Sequence, residues 1–125
     1  MAKHNLLGKQ GEDMAERLLH DKGYTIVERD WHSGKRDIDI IARTPDGVTW
    51  VFVEVKTRTS DDLVSPLDAI DITKIRHIGA SADHYIKMHH IDAPTRFDVI
   101  TVVGQPGANA KIDHIEDAFN PLMAF

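Results

Sequence analysis

The chain has 125 residues, of which 42% are hydrophobic and 28% are charged, and this length fits one hydrophobic core but not two ordinary domains. Its formal net charge of -5 argues against a protein that coats nucleic acid indiscriminately, because such binding depends on an excess of Lys and Arg. The sequence contains no Cys, which excludes disulfides and thiolate metal sites and fits a reducing compartment.

Nothing in the sequence predicts contact with a membrane. No apolar run is long enough to span a bilayer, and the first residues lack the apolar segment of a secretion signal. We therefore expect a single domain over residues 1–125, located in the cytoplasm. The composition leaves the oligomeric state open between a monomer and a homodimer.

The predicted elements alternate between helix and strand along the chain. A helix is predicted over residues 8–23, with apolar positions at helical spacing and a stop at Gly23. Strands are predicted at 24–31, 37–43 and 48–58, followed by a second long helix at 65–90 with Ile72 on its apolar face. A strand at 96–104 and an edge strand or tail at 111–119 complete the chain. This order predicts an α/β fold of the form αβββαβ(β), with helices flanking a central mixed sheet of four to five strands.

The stretch VFVEVKTR, residues 51–58, is the strongest predicted strand and carries an unexpected pair of charges. Its apolar residues indicate burial on both faces, yet Glu54 and Lys56 lie where the strand should be driest. The two charged residues are two positions apart, so their side chains point to the same face. In the strand before it, Ile38 and Ile40 are expected on one side and Asp37, Asp39 and Ile41 on the other.

The dipeptide Asp46-Gly47 predicts the register of a hairpin between these two strands. A turn centred on it places Ile41 opposite Phe52, Asp39 opposite Glu54 and Asp37 opposite Lys56. Two opposed carboxylates at ~5 Å and an effective dielectric of ~20 repel each other by about 3 kcal/mol. Protonation of one acid, insertion of a basic side chain, or binding of a cation would compensate. All-oxygen ligands favour Mg²⁺ or Mn²⁺, and Glu12 on the first helix is a candidate third acid.

Each candidate residue also has an ordinary structural interpretation. Glu54 and Lys56 alone would be a solvated charge pair, and Glu12 alone a first-turn helix acid near the positive end of the helix dipole. Asp98 is expected to pair with Arg96 or to cap a turn. The apolar context of Glu54 and its register with Asp39 favour the functional interpretation.

These motifs resemble the PD-(D/E)XK nuclease superfamily. The segments GKQGEDMAERLL, DIDIIA and VFVEVKTR carry the resemblance, together with AIDITKIRHIGASADHYI and RFDVITV further along the chain. The pattern is similar to the archaeal-type Holliday junction resolvases and, more narrowly, to the YraN family of endonuclease-like bacterial proteins. The resemblance implies a restriction-endonuclease-like core.

The resemblance also implies roles for individual residues. Asp39, Glu54 and Glu12 would hold Mg²⁺ or Mn²⁺, and Lys56 would orient a water and stabilise developing charge. Lys74 matches a basic residue of the second helix, and we expect the nucleic-acid contacts to come from Lys74, Arg58 and Arg76. The implied function is a Mg²⁺-dependent endonuclease acting on DNA, with branched or damaged DNA as the expected substrate. A non-catalytic module that binds nucleic acid or protein on the same fold, and a metal-dependent hydrolase of another phosphoester, remain alternatives.

Overall fold

The computed structural model describes residues 2–58, 71–104 and 109–121. The elements follow in the order α1 (Ala2–Asp21), β1 (Thr25–Ser33), β2 (Arg36–Arg43), β3 (Trp50–Arg58), α2 (Ile72–Met88), β4 (Thr95–Val103) and β5 (Lys111–Ile115). The predicted α/β order is confirmed, and the last segment includes a fifth strand. Residues 65–70 of the predicted second helix lie outside the described residues.

The five strands form one mixed sheet in the order β1-β2-β3-β4-β5. Only β3 and β4 run parallel, while the other neighbouring strands are antiparallel. A parallel pair requires a long crossover connection, and α2 lies in the connection between β3 and β4. The central strand β3 therefore has one antiparallel and one parallel neighbour.

Helix α1 covers one face of the sheet. Its buried residues Ala15 and Leu19 pack in a cluster with Val51 and Val53 of β3. The helix ends as predicted, because Gly23 has a φ of 92° and its N–H donates to the His20 carbonyl. Alternate side chains of a strand point to opposite faces, so Phe52 and Trp50 of β3 pack on the other face of the sheet.

Helix α2 covers the opposite face. Its buried residues Ala82 and Tyr85 pack with Phe52 and Trp31 of the sheet. The helix begins at an N-cap, Asp71, whose side chain accepts a hydrogen bond from the Lys74 N–H at 2.8 Å. The prediction that Ile72 belongs to the buried face was wrong, because this first helical residue is 57% exposed.

The hairpin between β2 and β3 has the predicted register. Ile41 lies opposite Phe52, and the pairing extends to Arg43 opposite Trp50. Gly47 has a φ of 74°, and its N–H donates to the Thr44 carbonyl at 2.8 Å. The turn chemistry of Asp46-Gly47 thus fixes the alignment of the two strands that carry the candidate acids.

The predicted assignment of β2 side chains to faces was wrong at one position. Ile40 packs in the α1-side cluster, but Ile38 packs with Ile41 and Phe52 on the α2 side. At this point the β1–β2 pairing leaves out Asp30 and Asp39, between Arg29 opposite Ile40 and Trp31 opposite Ile38, without a change of register; the register shift of this strand pair lies between Ile26 and Glu28. Asp30 has a φ of 51°, which interrupts the alternation of β1 at this point.

A buried ionic network is centred on Asp98 of β4. The Asp98 carboxylate is fully buried and accepts hydrogen bonds from the Arg96 side chain, from His114 Nε2 at 2.7 Å and from the Asp117 N–H. The expectation that Asp98 pairs with Arg96 is confirmed. Burial opposes ionisation, but the His114 and Arg96 hydrogen bonds outweigh it and lower the Asp98 pKa.

Among the described residues, no helix combines the length and apolarity needed to cross a membrane.

Candidate metal and phosphate site

The candidate site lies where β2 and β3 separate. Their pairing ends at Ile40 opposite Val53, one position before the two acids would be opposed. Beyond this point the Val55 N–H donates to Asp39 Oδ2 at 2.8 Å instead of to a backbone carbonyl. The separation opens a cavity of about 280 Å³ between the strands and the two helices, lined by Leu7, Gly8, Glu12, Asp39, Glu54, Val55, Lys56, Thr57 and Lys74.

Asp39 and Glu54 meet through their side chains. Burial raises the pKa of Asp39 to about 8, and a hydrogen bond and repulsion from Glu54 add to the effect. Two carboxyl groups in such contact share a proton, because both cannot be ionised without a strong repulsion. Near neutral pH, Asp39 therefore carries the shared proton in the absence of a cation.

Lys74 supplies a positive charge to the same pair. Its Nζ lies 3.2 Å from Glu54 Oε2, and the Glu54 side chain is 7% exposed. Burial alone would lower the pKa of Lys74, but attraction to Glu54 raises it above the usual value. Of the three expected ways to compensate a buried Glu54, protonation of a neighbouring acid and insertion of a basic side chain both occur.

Glu12 approaches from α1 because that helix packs very closely on β3. A Cβ on Gly11 would lie 2.0 Å from Thr57 Oγ1, so only glycine permits this approach. Glu12 does not lie in the first turn of α1, which excludes a first-turn acid. Burial raises the pKa of Glu12 to about 8. A hydrogen bond with Asp30 and the negative charges of Asp39 and Asp30 also raise this pKa, and the opposing effect of Arg29 is smaller.

Asp30 is a member of the site that the sequence did not predict. One oxygen each from Glu12, Asp30 and Asp39 lie within 4.8 Å of one another. Asp30 reaches this position through its left-handed backbone conformation, with a φ of 51°. Asp adopts this conformation more readily than most residues, but the sequence around it has no turn signal. We refer to Glu12, Asp30, Asp39 and Glu54 as the acidic cluster.

The acidic cluster has the donor set that a hard divalent cation requires. All of its ligand atoms are carboxylate oxygens, which suit Mg²⁺ and Mn²⁺. Within the described part of the chain, Glu12 Oε1 and Glu54 Oε2 are buried and accept no hydrogen bond. Their charged neighbours are Arg29 at 3.6 Å and Lys74 at 3.2 Å. The residues therefore fit a cation, which would compete with these two side chains.

The predicted basic residues lie at different distances from the acidic cluster. Lys56 and Lys74 line the same cavity as the acids. Arg58 ends β3 and is half-buried, and Arg76 is exposed on α2. The structure thus brings two of the four predicted cations to the acids.

The predicted pairing of Asp37 with Lys56 was wrong. Asp37 lies opposite His32 in β1 and its carboxylate contacts His77 of α2. The ladder between β2 and β3 ends before Asp37, so the register of the hairpin does not extend to it.

Fold and site together define a mixed α/β protein whose sheet opens around four carboxylates and two lysines. Residues 11–102 match the model of the uncharacterised protein family UPF0102, and this segment includes the acidic cluster, Lys56 and Lys74. The chain belongs to this family.

Similar proteins are found over almost the full length of the chain. A UPF0102 protein from Bacteroides thetaiotaomicron is 46% identical over 97% of this chain and 98% of its own length. A UPF0102 protein from Porphyromonas gingivalis is 48% identical over 98% of this chain and 90% of its own length. Among solved structures, the SPO1766 protein of unknown function from Silicibacter pomeroyi aligns with a TM-score of 0.40 and 15% identity, covering 94% of this chain and 78% of that one.

Proposed function

We propose that the protein is a Mg²⁺- or Mn²⁺-dependent DNA endonuclease with a PD-(D/E)XK site, acting on branched or damaged DNA. One observation carries this proposal: carboxylates from β1, β2, β3 and α1 converge where two strands separate, next to Lys56. A fold does not gather three acids in one cavity, with Asp30 as an exposed fourth beside them, for stability, because their mutual repulsion opposes folding. The arrangement is suited to a ligand that carries positive charge.

Asp39, Glu54 and Glu12 are the proposed cation ligands, with Asp30 as a fourth acid. The bound cation would polarise a scissile phosphate and lower the pKa of a bound water. Lys56 lies on the same cavity and has no ion pair with the described residues, so its ammonium group is free to orient the water and stabilise charge on the phosphate. Cleavage is expected to leave a 5′-phosphate and a free 3′ hydroxyl, as the resemblance to PD-(D/E)XK nucleases implies.

DNA binding is assigned to the basic side chains around the cavity. The net charge of -5 requires that these contacts be local. Lys74 becomes available to a backbone phosphate when a cation replaces it beside Glu54. Arg58 and Arg76 extend the basic surface on β3 and α2.

The test combines cation binding with DNA cleavage. A Mn²⁺ titration should detect one site in the wild type, with little binding after Asp39→Asn or Glu54→Gln. Asp21→Asn is the matched control, because Asp21 is a 68% exposed acid at the end of α1. Four-way, forked, linear and single-stranded DNA are then incubated with Mg²⁺ or Mn²⁺, with Glu54→Gln purified in parallel. Equal loss or equal survival of DNA in the wild type and Glu54→Gln would contradict the nuclease proposal.

Lys56→Ala separates catalysis from binding. If Lys56 acts on the transition state, this substitution should reduce cleavage by about a hundredfold and change Mn²⁺ and DNA affinity little. Lys111→Ala is the control, since Lys111 is a 78% exposed lysine on β5. If Lys56→Ala lowers DNA affinity by the same factor as cleavage, Lys56 acts only in DNA binding and not on the transition state.

A non-catalytic binding module on the same fold is the second candidate. It is favoured by the contact between Lys74 and Glu54, which together with a protonated Asp39 neutralises part of the acidic cluster without any cation. In that case Mn²⁺ should bind weakly, DNA should be retained without cleavage, and Lys74→Ala should leave Mn²⁺ affinity unchanged.

A further inference from the structure

A second cavity adjoins the acidic cluster on the α2 side. It has a volume of about 480 Å³ and is lined by Lys56, Asp71, Thr73, Lys74 and His77. Lys56 and Lys74 line both cavities, so the second cavity is the direct continuation of the first. A DNA strand whose phosphate lies at the acidic cluster would extend one of its two ester oxygens toward this side.

His77 is held at this cavity by Asp37. Its Nε2 lies 2.5 Å from Asp37 Oδ1, which joins α2 to β2. An ionised carboxylate only accepts hydrogen bonds, so Nε2 carries a proton and the protonated ring has a second proton on Nδ1. Within the described residues Nδ1 has no hydrogen-bond partner.

The charges around His77 come from three elements. Asp37 faces it from β2, Lys56 from β3, and Asp71 and Lys74 from α2. Asp37 contacts the imidazole directly, while the two lysines favour an anionic group in the same cavity. The cavity thus combines a proton donor with two cations that attract a phosphate ester.

We propose that His77 is a catalytic residue that donates the proton to the leaving oxygen of the cleaved phosphodiester, with Asp37 as its positioning residue. This inference rests on the proposed nuclease function and adds a role that the metal ligands and Lys56 leave open. A DNA alkoxide is a poor leaving group, and a positioned acid typically accelerates such a step by 10²–10⁴-fold. Imidazole exchanges protons readily near neutral pH, whereas a lysine ammonium group holds its proton far more tightly.

The atoms balance in a simple hydrolysis. The oxygen of water forms a bond to phosphorus as the bond from phosphorus to the 3′ oxygen breaks. The Nδ1 proton of His77 moves to the 3′ oxygen, which leaves as a hydroxyl group. The attacking water releases a proton to the solvent, from which His77 is reprotonated.

Substrates with a sulfur in place of one bridging oxygen test this role. A thiolate leaves without protonation, so a general acid is unnecessary for such a substrate. His77→Gln keeps an N–H that can reach Asp37 but has no proton to donate to the leaving group. His84→Gln is the matched control, because His84 is a half-buried histidine of the same helix that contacts Ser33 and lines neither cavity.

Single-turnover cleavage is measured on the all-oxygen substrate and on substrates with sulfur at the 3′ or the 5′ bridging position. We expect His77→Gln to lower the rate on the oxygen substrate by about a hundredfold. On the substrate with sulfur at the 3′ bridging position, the His77→Gln rate should return to within about threefold of the wild-type rate. Asp37→Asn should show a smaller loss with the same rescue, and His84→Gln no loss.

The outcomes separate this inference from the function on which it rests. If the wild type cleaves the oxygen substrate and His77→Gln cleaves it equally well, the proton-donor role is refuted and the nuclease function stands. A His77→Gln defect that sulfur does not rescue also refutes the role, since it would then be structural or a binding defect. Wild-type protein that cleaves neither substrate overturns both proposals.

Discussion

Replacing Lys74 by Met removes the internal cation of the acidic cluster while keeping a long apolar side chain. Lys74 Nζ lies 3.2 Å from Glu54 Oε2, where a divalent cation would have to bind. The ammonium group and the cation therefore compete for the same carboxylate. Lys74→Met should weaken the cation-free fold and strengthen cation binding.

The magnitude follows from the geometry of the contact. Two unit charges 3.2 Å apart at an effective dielectric of ~20 attract each other by about 5 kcal/mol. The Lys74 side chain is 38% exposed, so solvent screening and the cost of desolvation reduce this value strongly. Protonation shared with Asp39 also limits the loss. We expect the free energy of unfolding to fall by about 1–2 kcal/mol, and Mn²⁺ affinity to rise by about 5- to 30-fold.

The assay is urea unfolding with and without saturating Mn²⁺, combined with a Mn²⁺ titration of the same proteins. Lys87→Met is the control, because Lys87 forms an exposed pair with Asp83 on the same helix. The difference in unfolding free energy between Lys74→Met and the wild type should shrink or vanish when Mn²⁺ is bound. Weaker Mn²⁺ binding in Lys74→Met would refute the competition, since Lys74 would then support the cation site.

Three further predictions concern the apo protein. Because the pKa of Asp39 is raised to about 8, its contribution to stability is present below pH 4 and is lost as the pH rises through 8. In urea unfolding, Asp39→Asn should therefore show a smaller fall in unfolding free energy between pH 4 and pH 8 than the wild type. Gly11→Ala should lower the free energy of unfolding by about 1–3 kcal/mol through its clash with Thr57. Gly8→Ala should not destabilise the protein, because a Cβ at Gly8 has no atom within 4 Å, and equal melting temperatures of the two variants would contradict the close packing at Gly11. Asp98→Asn should lose about 3 kcal/mol at pH 7, and a loss below 1 kcal/mol would mean that the buried ionic network contributes little.

Local sequence signals were enough to predict the hairpin that carries the candidate acids. Asp46-Gly47 determines the turn, the turn determines the register, and the register brings Asp39 to Glu54. Gly23 likewise predicted the end of the first helix. These features depend on residues close together in the chain.

The parts that were missed depend on contacts between distant segments. Asp30 joins the acidic cluster through an irregular backbone conformation in β1, and no turn residue marks it. The rotation of α2 decides that Lys74 points to Glu54 and His77 to Asp37, and helical spacing alone does not determine which strand each side chain reaches. The reversal of faces between Ile38 and Ile40 likewise has no local sequence signal, and it occurs where Asp30 and Asp39 are left out of the β1–β2 pairing.

The hydrogen bond from the Val55 N–H to Asp39 Oδ2 replaces a backbone bond of the sheet with a bond to a side chain. Exchange of this amide hydrogen for deuterium therefore depends on where the Asp39 carboxylate points. A carboxylate that turns toward a cation exposes the Val55 amide, whereas the amides of the ladder between Ile40 and Val53 stay protected. The deuterium exchange rate of the Val55 amide therefore reports the orientation of the Asp39 carboxylate, and mass spectrometry or NMR can measure it without an attached probe.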